Sequence, residues 1–211
     1  ETVMLDMDGT LLDLNFDNHF WLEFVPLKFA ERHEITLQES KSTLTPLFKS
    51  MEGKLEWYCL DYWSQELKLD IAGLKEEISG LISVLPHVME FLETMKKSRH
   101  RVLLVTNAHA GSLGIKMNKT CLHHFFDNVI SSHQLGIPKE HPDFWNRLQT
   151  IEPFRKEATL LVDDSLSVLG SARSYGIAHL VSVSMPDSKQ AKRDIVDYPA
   201  IQDFREIMPV L

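Results

Sequence analysis

The apolar positions of the chain form two kinds of pattern. Short, mostly apolar runs lie at residues 3–5, 101–105, 128–131, 158–162 and 179–183, and such runs are typical of strands buried on both faces of a parallel sheet. After Pro86 they alternate with segments of helical periodicity, such as HVMEFLETMKKS and SVLGSARSYG. This alternation predicts an α/β domain, with a parallel sheet flanked by helices.

Between the first and second runs, the periodicity is helical throughout, from Asp17 to about Val84. Asp17 and Thr36 are predicted to cap the first two helices. Pro26 and Pro46 are expected to kink or split them. The segment KLEWYCLDYWSQELKL favours one further helix, because its spacing puts five residues on one face: Leu55, Cys59, Tyr62, Trp63 and Leu67.

The order of these elements predicts a chain in two parts. Residues 1–14 and 86–211 form the α/β core, and residues 15–85 form an all-helical insert after the first strand. A chain of 211 residues with 44% hydrophobic content is large enough for such a core and a small insert.

Composition excludes several classes of partner. The net charge of −8 argues against nucleic-acid polymers and anionic membranes, which both reward a basic surface. No apolar run reaches the roughly 18 residues of a membrane span. Cys59 and Cys121 lack CxxC spacing and are interpreted as packing residues, so we expect a cytoplasmic protein. His123 and His124 lack the spacing of zinc ligands.

Polar residues occupy the carboxyl ends of three predicted strands. These residues are Asp6 and Asp8, Thr106 and Asn107, and Asp163 and Asp164. Such strand ends meet at one edge of a parallel sheet, so the three groups are expected to converge. Carboxylates this close raise each other's cost of ionisation, and a bound cation or a catalytic role usually resolves the conflict. A capped strand end with solvated acids is the alternative.

Four segments resemble the motifs of the haloacid dehalogenase superfamily, in their usual order. They are DMDGTLLD, LLVTNAH, LGIPKEHPDFW with Lys139, and LLVDDS. The resemblance covers essentially the whole chain and implies a Rossmann-like core with a helical cap inserted after the first strand. FDNHFW, LEWYCLDYWSQELKLDI, PKEHPDFW and SMPDS further resemble the bacterial GMP/IMP nucleotidases of this superfamily.

The resemblance implies a role for each acidic residue. Asp6 would be the nucleophile that forms an aspartyl-phosphate, and Asp8 the general acid and base. Asp6, the backbone carbonyl of Asp8, and Asp164 would bind Mg²⁺ directly, and Asp163 would act partly through water. A divalent cation would then let these carboxylates tolerate one another.

Three further residues are expected to bind phosphate. The Thr106 hydroxyl and the Asn107 N–H would face the transferred phosphoryl group, although both residue types also favour a plain helix cap. Lys139 would steady the phosphate and the nucleophile as a point charge. Lys116 and Lys119 lie nearby in sequence, but the match of GIPK before a helix favours Lys139.

Substrate choice is expected to come from the helical insert. Most of its aromatic residues are predicted to be core, since an aromatic stripe at helical spacing is usually packing. Trp57 and Tyr58 cannot both face inward on one helix, so one of them is a candidate for stacking on a purine. Asn15, Phe16 and Asn18 lie beside the junction of core and insert and are candidates for contact with a nucleotide.

The sequence thus predicts a Mg²⁺-dependent phosphomonoesterase for purine 5′-nucleotides such as GMP and IMP. Three alternatives stay open: a phosphatase for a sugar phosphate or a small phosphorylated acid, a phosphomutase, and a non-catalytic binding protein. A dehalogenase is disfavoured, because attack on a carbon–halogen bond needs neither Asp8 nor a metal. The oligomeric state is not predicted.

Overall fold

The computed structural model describes residues 1–209 of the chain. Within this range six strands form one parallel sheet in the order β3-β2-β1-β4-β5-β6. The strands are β1 (Thr2–Leu5), β2 (Arg101–Thr106), β3 (Asn128–Ser131), β4 (Thr159–Val162), β5 (His179–Val183) and β6 (Ala200–Ile201). The predicted α/β fold is confirmed. Because β1 is central, the residue that follows it lies at the middle of the carboxyl edge.

Helices cover both faces of the sheet. Val3 and Leu5 pack in one hydrophobic cluster and Met4 in another, as the two-residue period of a strand requires. The first cluster contains residues of α6 (Val88–Lys97) and α7 (Ala110–Thr120). The second contains residues of α8 (Ser132–Leu135), α9 (Phe144–Ile151) and α10 (Leu166–Tyr175).

The segment between β1 and α6 is built of helices, which we call the helical insert. They are α1 (Asn15–His19), a π-helical turn (Phe20–Phe24), α2 (Val25–His33), α3 (Leu37–Met51), α4 (Leu60–Leu67) and α5 (Ile71–Glu77). Its own hydrophobic cluster includes the fully buried Phe20, Val25, Trp63 and Ile71. A division into two domains at residues 14 and 85 stays a prediction. Among residues 1–209, no helix combines the length and the apolar character that a membrane crossing demands.

The predicted helix caps are half right. Thr36 caps α3 in a capping box with Glu39, as expected. Asp17 is not a cap: α1 begins at Asn15, and Asp17 forms ion pairs. Pro26 lies in the first turn of α2, where its missing N–H is tolerated. Pro46 lies inside α3, which continues through it to Met51.

The prediction of one helix over KLEWYCLDYWSQELKL was wrong. Leu55–Tyr58 is a 3₁₀ turn, and α4 starts only at Leu60. The backbone of Cys59 is extended, and its Sγ accepts the N–H of Tyr62 and so caps α4. A thiol in this position substitutes for the usual Ser or Thr, which the periodicity of the apolar residues did not reveal.

Candidate active site

Three buried aspartates meet at the carboxyl edge of the sheet. Asp6 follows β1, and Asp163 and Asp164 follow β4. One carboxylate oxygen from each lies within 4.8 Å of the others. Burial, reinforced by the neighbouring carboxylates, raises the pKa of Asp6 to about 7, of Asp163 to about 6 and of Asp164 to about 7. These groups resist ionisation unless positive charge is supplied.

Lys139 supplies part of that charge. Its Nζ donates to Asp6 Oδ1 at 2.5 Å, to Asp163 Oδ2 at 2.7 Å and to the carbonyl of Val105 at 3.0 Å. Burial opposes ionisation of this lysine, but the carboxylates of Asp163 and Asp6 raise its pKa above the usual value. One ammonium group beside three carboxylates leaves negative charge, and a divalent cation with oxygen ligands fits this donor set. Asp6, Asp163 and Asp164 can therefore hold Mg²⁺.

Gly9 allows this close approach of the two strand ends. Its φ is +83°, and a Cβ there would lie 2.7 Å from Asp164 Cγ. Only glycine combines this backbone conformation with the space that Asp164 requires. The N–H of Asp164 also donates to Thr10 Oγ1 at 3.2 Å. Arg193 Nη1 donates to Oδ2 of Asp164 at 3.2 Å.

The last residue of β2, Thr106, and the loop that follows it form another part of the site. Thr106 Oγ1 accepts the N–H of Ala108 at 3.0 Å. Asn107 Oδ1 accepts the N–H of Lys139 at 2.9 Å, and its Nδ2 donates to Glu140 Oε2 at 2.9 Å. Glu140 Oε1 accepts the hydroxyl of Tyr58 at 2.7 Å. This chain of bonds fixes the loop that carries Lys139 and joins it to the helical insert.

Asp8 is held by a second lysine. Lys116 Nζ donates to Asp8 Oδ1 at 2.7 Å and to Asp17 Oδ2 at 2.6 Å, and Lys75 Nζ donates to Asp17 Oδ1 at 2.6 Å. Burial raises the pKa of Asp8 although Lys116 opposes it, and a raised pKa suits a general acid. The side chain of Asp8 is not part of the acidic group around Asp6, so a metal contact through its backbone carbonyl stays a prediction.

Two adjoining cavities lie over these residues. A cavity of about 160 Å³ is lined by the candidate catalytic, metal and phosphate residues: Asp6, Asp8, Thr106, Asn107, Lys139, Asp163 and Asp164. A cavity of about 440 Å³ extends from it into the helical insert. Both are lined by Asp8, Leu14, Tyr58 and Ala108. A ligand in the larger cavity can thus present one end to Asp6.

The predicted specificity residues divide between the larger cavity and the core. Asn18, Trp57 and Tyr58 line this cavity. Asn15 and Phe16 line neither of the two cavities. Phe16 is only 1% exposed, and the Nζ atoms of Lys75 and Lys116 lie 4.9 and 5.4 Å from its ring centroid. This ring packs in the core beside the two ammonium groups, and a contact between Phe16 and substrate stays a prediction.

Sequence reasoning missed the residues that support the site. They are Asp17, Lys75, Lys116, Glu140 and Arg193. A signal existed for Lys116, because it lies three residues after Leu113 and directly before the buried Met117, on the inward face of α7. A charged residue on an apolar face is buried only when it is paired.

The sheet, the acidic cluster and its lysine define a phosphatase of the haloacid dehalogenase type. The chain belongs to this family, because the model of the family of haloacid dehalogenase-like hydrolases matches residues 3–181. The GMP/IMP nucleotidase YrfG of Escherichia coli (strain K12) is 37% identical over 211 residues, with 100% of this chain and 95% of that protein covered.

Solved structures show the same fold. A haloacid dehalogenase-type phosphatase from Thermococcus onnurineus has a TM-score of 0.79 at 21% identity, over 98% of this chain and 95% of that one. The putative hydrolase YfnB from Bacillus subtilis, solved with bound magnesium, has a TM-score of 0.68 at 19% identity, over 98% and 96%.

Proposed function

We propose that this protein is a Mg²⁺-dependent phosphomonoesterase that hydrolyses purine 5′-nucleotides with a 6-oxo base, such as GMP and IMP, in the cytoplasm. The observation that carries the proposal is the pairing of Lys139 with Asp6 and Asp163 beside Asp164. The full-length identity of 37% to a GMP/IMP nucleotidase supports the choice of substrate.

The chemistry begins at Asp6. A carboxylate oxygen of Asp6 attacks phosphorus while Lys139 holds the side chain, and the bond from phosphorus to the ester oxygen breaks. Asp8 gives its proton to the departing oxygen, then takes a proton from the water that attacks the phosphoryl group. The second attack breaks the bond between phosphorus and Asp6 and releases inorganic phosphate. Mg²⁺ bound by Asp6, Asp163 and Asp164 would neutralise charge between these carboxylates and the phosphoryl oxygens.

The two cavities suggest how the substrate lies. The phosphate would occupy the smaller cavity, and the nucleoside the larger one under the helical insert, which would act as the cap. Trp21 and Trp57 line the larger cavity with their ring centroids 5.9 Å apart, and their faces are suited to stacking on a base. Lys49 and Glu52 also line it. The Glu52 carboxylate would accept the N1–H of a 6-oxopurine, and Lys49 would donate to O6.

Phosphate release across a panel of esters tests the reaction class. The panel contains GMP, IMP, AMP, sugar phosphates and phosphoglycolate, each with Mg²⁺ and with EDTA. We expect turnover that depends on Mg²⁺, and a loss of about 1,000-fold or more in Asp6→Asn. Asp143→Asn, an exposed aspartate, is the matched control and should retain wild-type activity. An Asp6→Asn protein that turns over normally would refute the mechanism.

A second set of variants tests the base preference. Glu52→Gln should lower kcat/KM for GMP by about tenfold or more, because a bond to a charged acceptor is lost. It should leave glucose 6-phosphate unaffected. Glu93→Gln, exposed on α6, is the control. Equal loss on all substrates would contradict base recognition by Glu52.

The same assays distinguish the alternative functions. A preference for sugar phosphates over GMP would indicate a sugar phosphatase. Transfer of phosphate to a second hydroxyl in the presence of a bisphosphate would indicate a mutase.

A further inference from the structure

A second group of metal-binding side chains lies outside the acidic site. Cys59, His109 and His133 each offer one ligand atom, and these atoms lie within 4.8 Å of one another. All three residues are half-buried. The two imidazole rings are nearly perpendicular, with centroids 5.0 Å apart. Thiolate and imidazole are the ligands that Zn²⁺ prefers, and hard cations such as Mg²⁺ are not suited to them.

His133 supplies an independent observation. Its Nε2 is shielded from solvent and, within residues 1–209, has no hydrogen-bond partner. An imidazole nitrogen that is desolvated without a partner costs free energy. A shielded imidazole nitrogen that no protein group bonds is available to bind a metal ion.

We propose that Cys59, His109 and His133 form a zinc site. These three side chains would supply three of the four ligands of a tetrahedral zinc ion, and a water molecule would take the fourth position. Coordination removes the proton from the Cys59 thiol to solvent and involves no change of oxidation state. The proposal does not depend on the proposed function, since none of these residues belongs to the phosphate-binding group.

The ligands come from two parts of the chain. Cys59 belongs to the helical insert, at the start of α4. His109 is the N-cap of α7, three residues after β2 ends, and His133 lies in α8, two residues after β3 ends. A zinc ion here joins the insert to the sheet beside Tyr58, whose hydroxyl already bonds Glu140. The site would therefore tie the insert to the loop that carries Lys139.

Binding of the metal alone tests the site without any assay of turnover. Full-length, tag-free protein in excess Mg²⁺ is titrated with Zn²⁺ by calorimetry and with Co²⁺ by absorption. We expect one equivalent to bind, with a thiolate-to-cobalt charge-transfer band. Zn²⁺ should also raise the Tm, because the metal binds the folded chain.

Two variants remove ligands, and two serve as matched controls. Cys59→Ser keeps an oxygen to cap α4 and so should fold, and His133→Gln removes the shielded nitrogen. Each should weaken Zn²⁺ binding by more than about 100-fold. Cys121→Ser and His123→Gln, which alter exposed residues of the same types, should bind as the wild type does. Absence of the charge-transfer band, or unchanged affinity in Cys59→Ser or in His133→Gln, would overturn the proposal.

Discussion

The Nζ of Lys116 lies 2.7 Å from Oδ1 of Asp8, so the candidate general acid is oriented by a lysine from α7. The side chain of Lys116 is 2% exposed, and its second partner, Asp17, lies on α1 of the helical insert. Burial would lower the pKa of Lys116, but Asp17 and Asp8 raise it above the usual value. Lys116 is therefore charged near neutral pH, and its ammonium group lies between Asp8 of the core and Asp17 of the helical insert.

Lys116→Met should impair both folding and turnover. It leaves Asp8 and Asp17 without their shared partner, and breaking a buried ion pair from one side costs about 3 kcal/mol or more of unfolding free energy. We also expect kcat to fall more than KM rises, because Asp8 loses its orientation. Urea unfolding and GMP kinetics measure the two effects.

Lys119→Met is the control for this variant, since Lys119 lies on the same helix and is exposed. Its unfolding free energy should change by no more than about 0.5 kcal/mol. A Lys116→Met protein with normal kcat would show that Asp8 needs no positioning by this lysine.

The ion pairs of Asp17 predict a particular dependence on pH. Burial opposes ionisation of Asp17, but Lys116 and Lys75 lower its pKa well below the usual value of 3.8. A lowered pKa in the folded state gives a stabilising contribution that is complete above the unfolded value and is lost as pH falls below it. The difference in unfolding free energy between wild type and Asp17→Asn should therefore be constant above about pH 5. It should shrink below pH 3.8.

Urea unfolding of both proteins between pH 3 and 8 measures this difference. Asp70→Asn, which removes an exposed carboxylate that has no lysine partner among residues 1–209, is the matched control for loss of one negative charge. A difference for Asp17→Asn that grows as the pH falls would contradict the assigned direction.

Gly9→Ala should damage the acidic site specifically. The positive φ alone costs alanine about 1 kcal/mol, and the Cβ would lie 2.7 Å from Asp164 Cγ. We expect a total loss of about 3 kcal/mol and a weaker response to Mg²⁺. Gly53→Ala is the matched control, because its φ is +77° with nothing within 4 Å of the added Cβ. Equal destabilisation of the two variants would show that Asp164 can move away at no cost.

Mg²⁺ should stabilise the folded protein. It would replace the mutual repulsion of Asp6, Asp163 and Asp164 with attraction, and binding at about 100 times the Kd adds about 2.7 kcal/mol. For a chain of this length we expect the Tm to rise by about 5–10 °C relative to EDTA. Asp164→Asn should abolish most of the shift, and Asp143→Asn should retain it. A shift that persists in Asp164→Asn would place the cation elsewhere.

The strands and the convergence of their ends follow from local patterns. Apolar runs that end in Asp6, Thr106 and Asp163 mark both the strand and its carboxyl end, and the parallel arrangement then brings those ends together. Lys139 was found by resemblance, and the structure brings it to Asp6. The sequence does not predict the short β6 (Ala200–Ile201), because two residues are too few to show the pattern of apolar positions that marks a strand.

The supporting residues could not be predicted, because their partners lie far away in sequence. Asp17 and Lys116 are 99 residues apart, and a charge at the start of a helix looks the same whether it caps that helix or pairs with another element. Cys59 was interpreted as helical because its spacing fits a helical face. Its backbone is extended because Cys59 is the N-cap of α4, and the preceding Tyr58 bonds Glu140 on the sheet side.

The contact between α1 and α7 is built on alternating charges: Asp8, Lys116, Asp17 and Lys75. The net free energy of such a contact is small, because the attraction between the charges is offset by the cost of removing them from water. Separating the two helices would return Lys116 and Asp17 to water, and hydration would offset much of the lost attraction. An aliphatic contact of the same size would lose its whole hydrophobic stabilisation when the helices separate, because that stabilisation is proportional to the apolar area buried. The charged pairing therefore fixes how α1 lies on α7, while the two helices can separate at a smaller cost in free energy than an apolar contact of the same area would require.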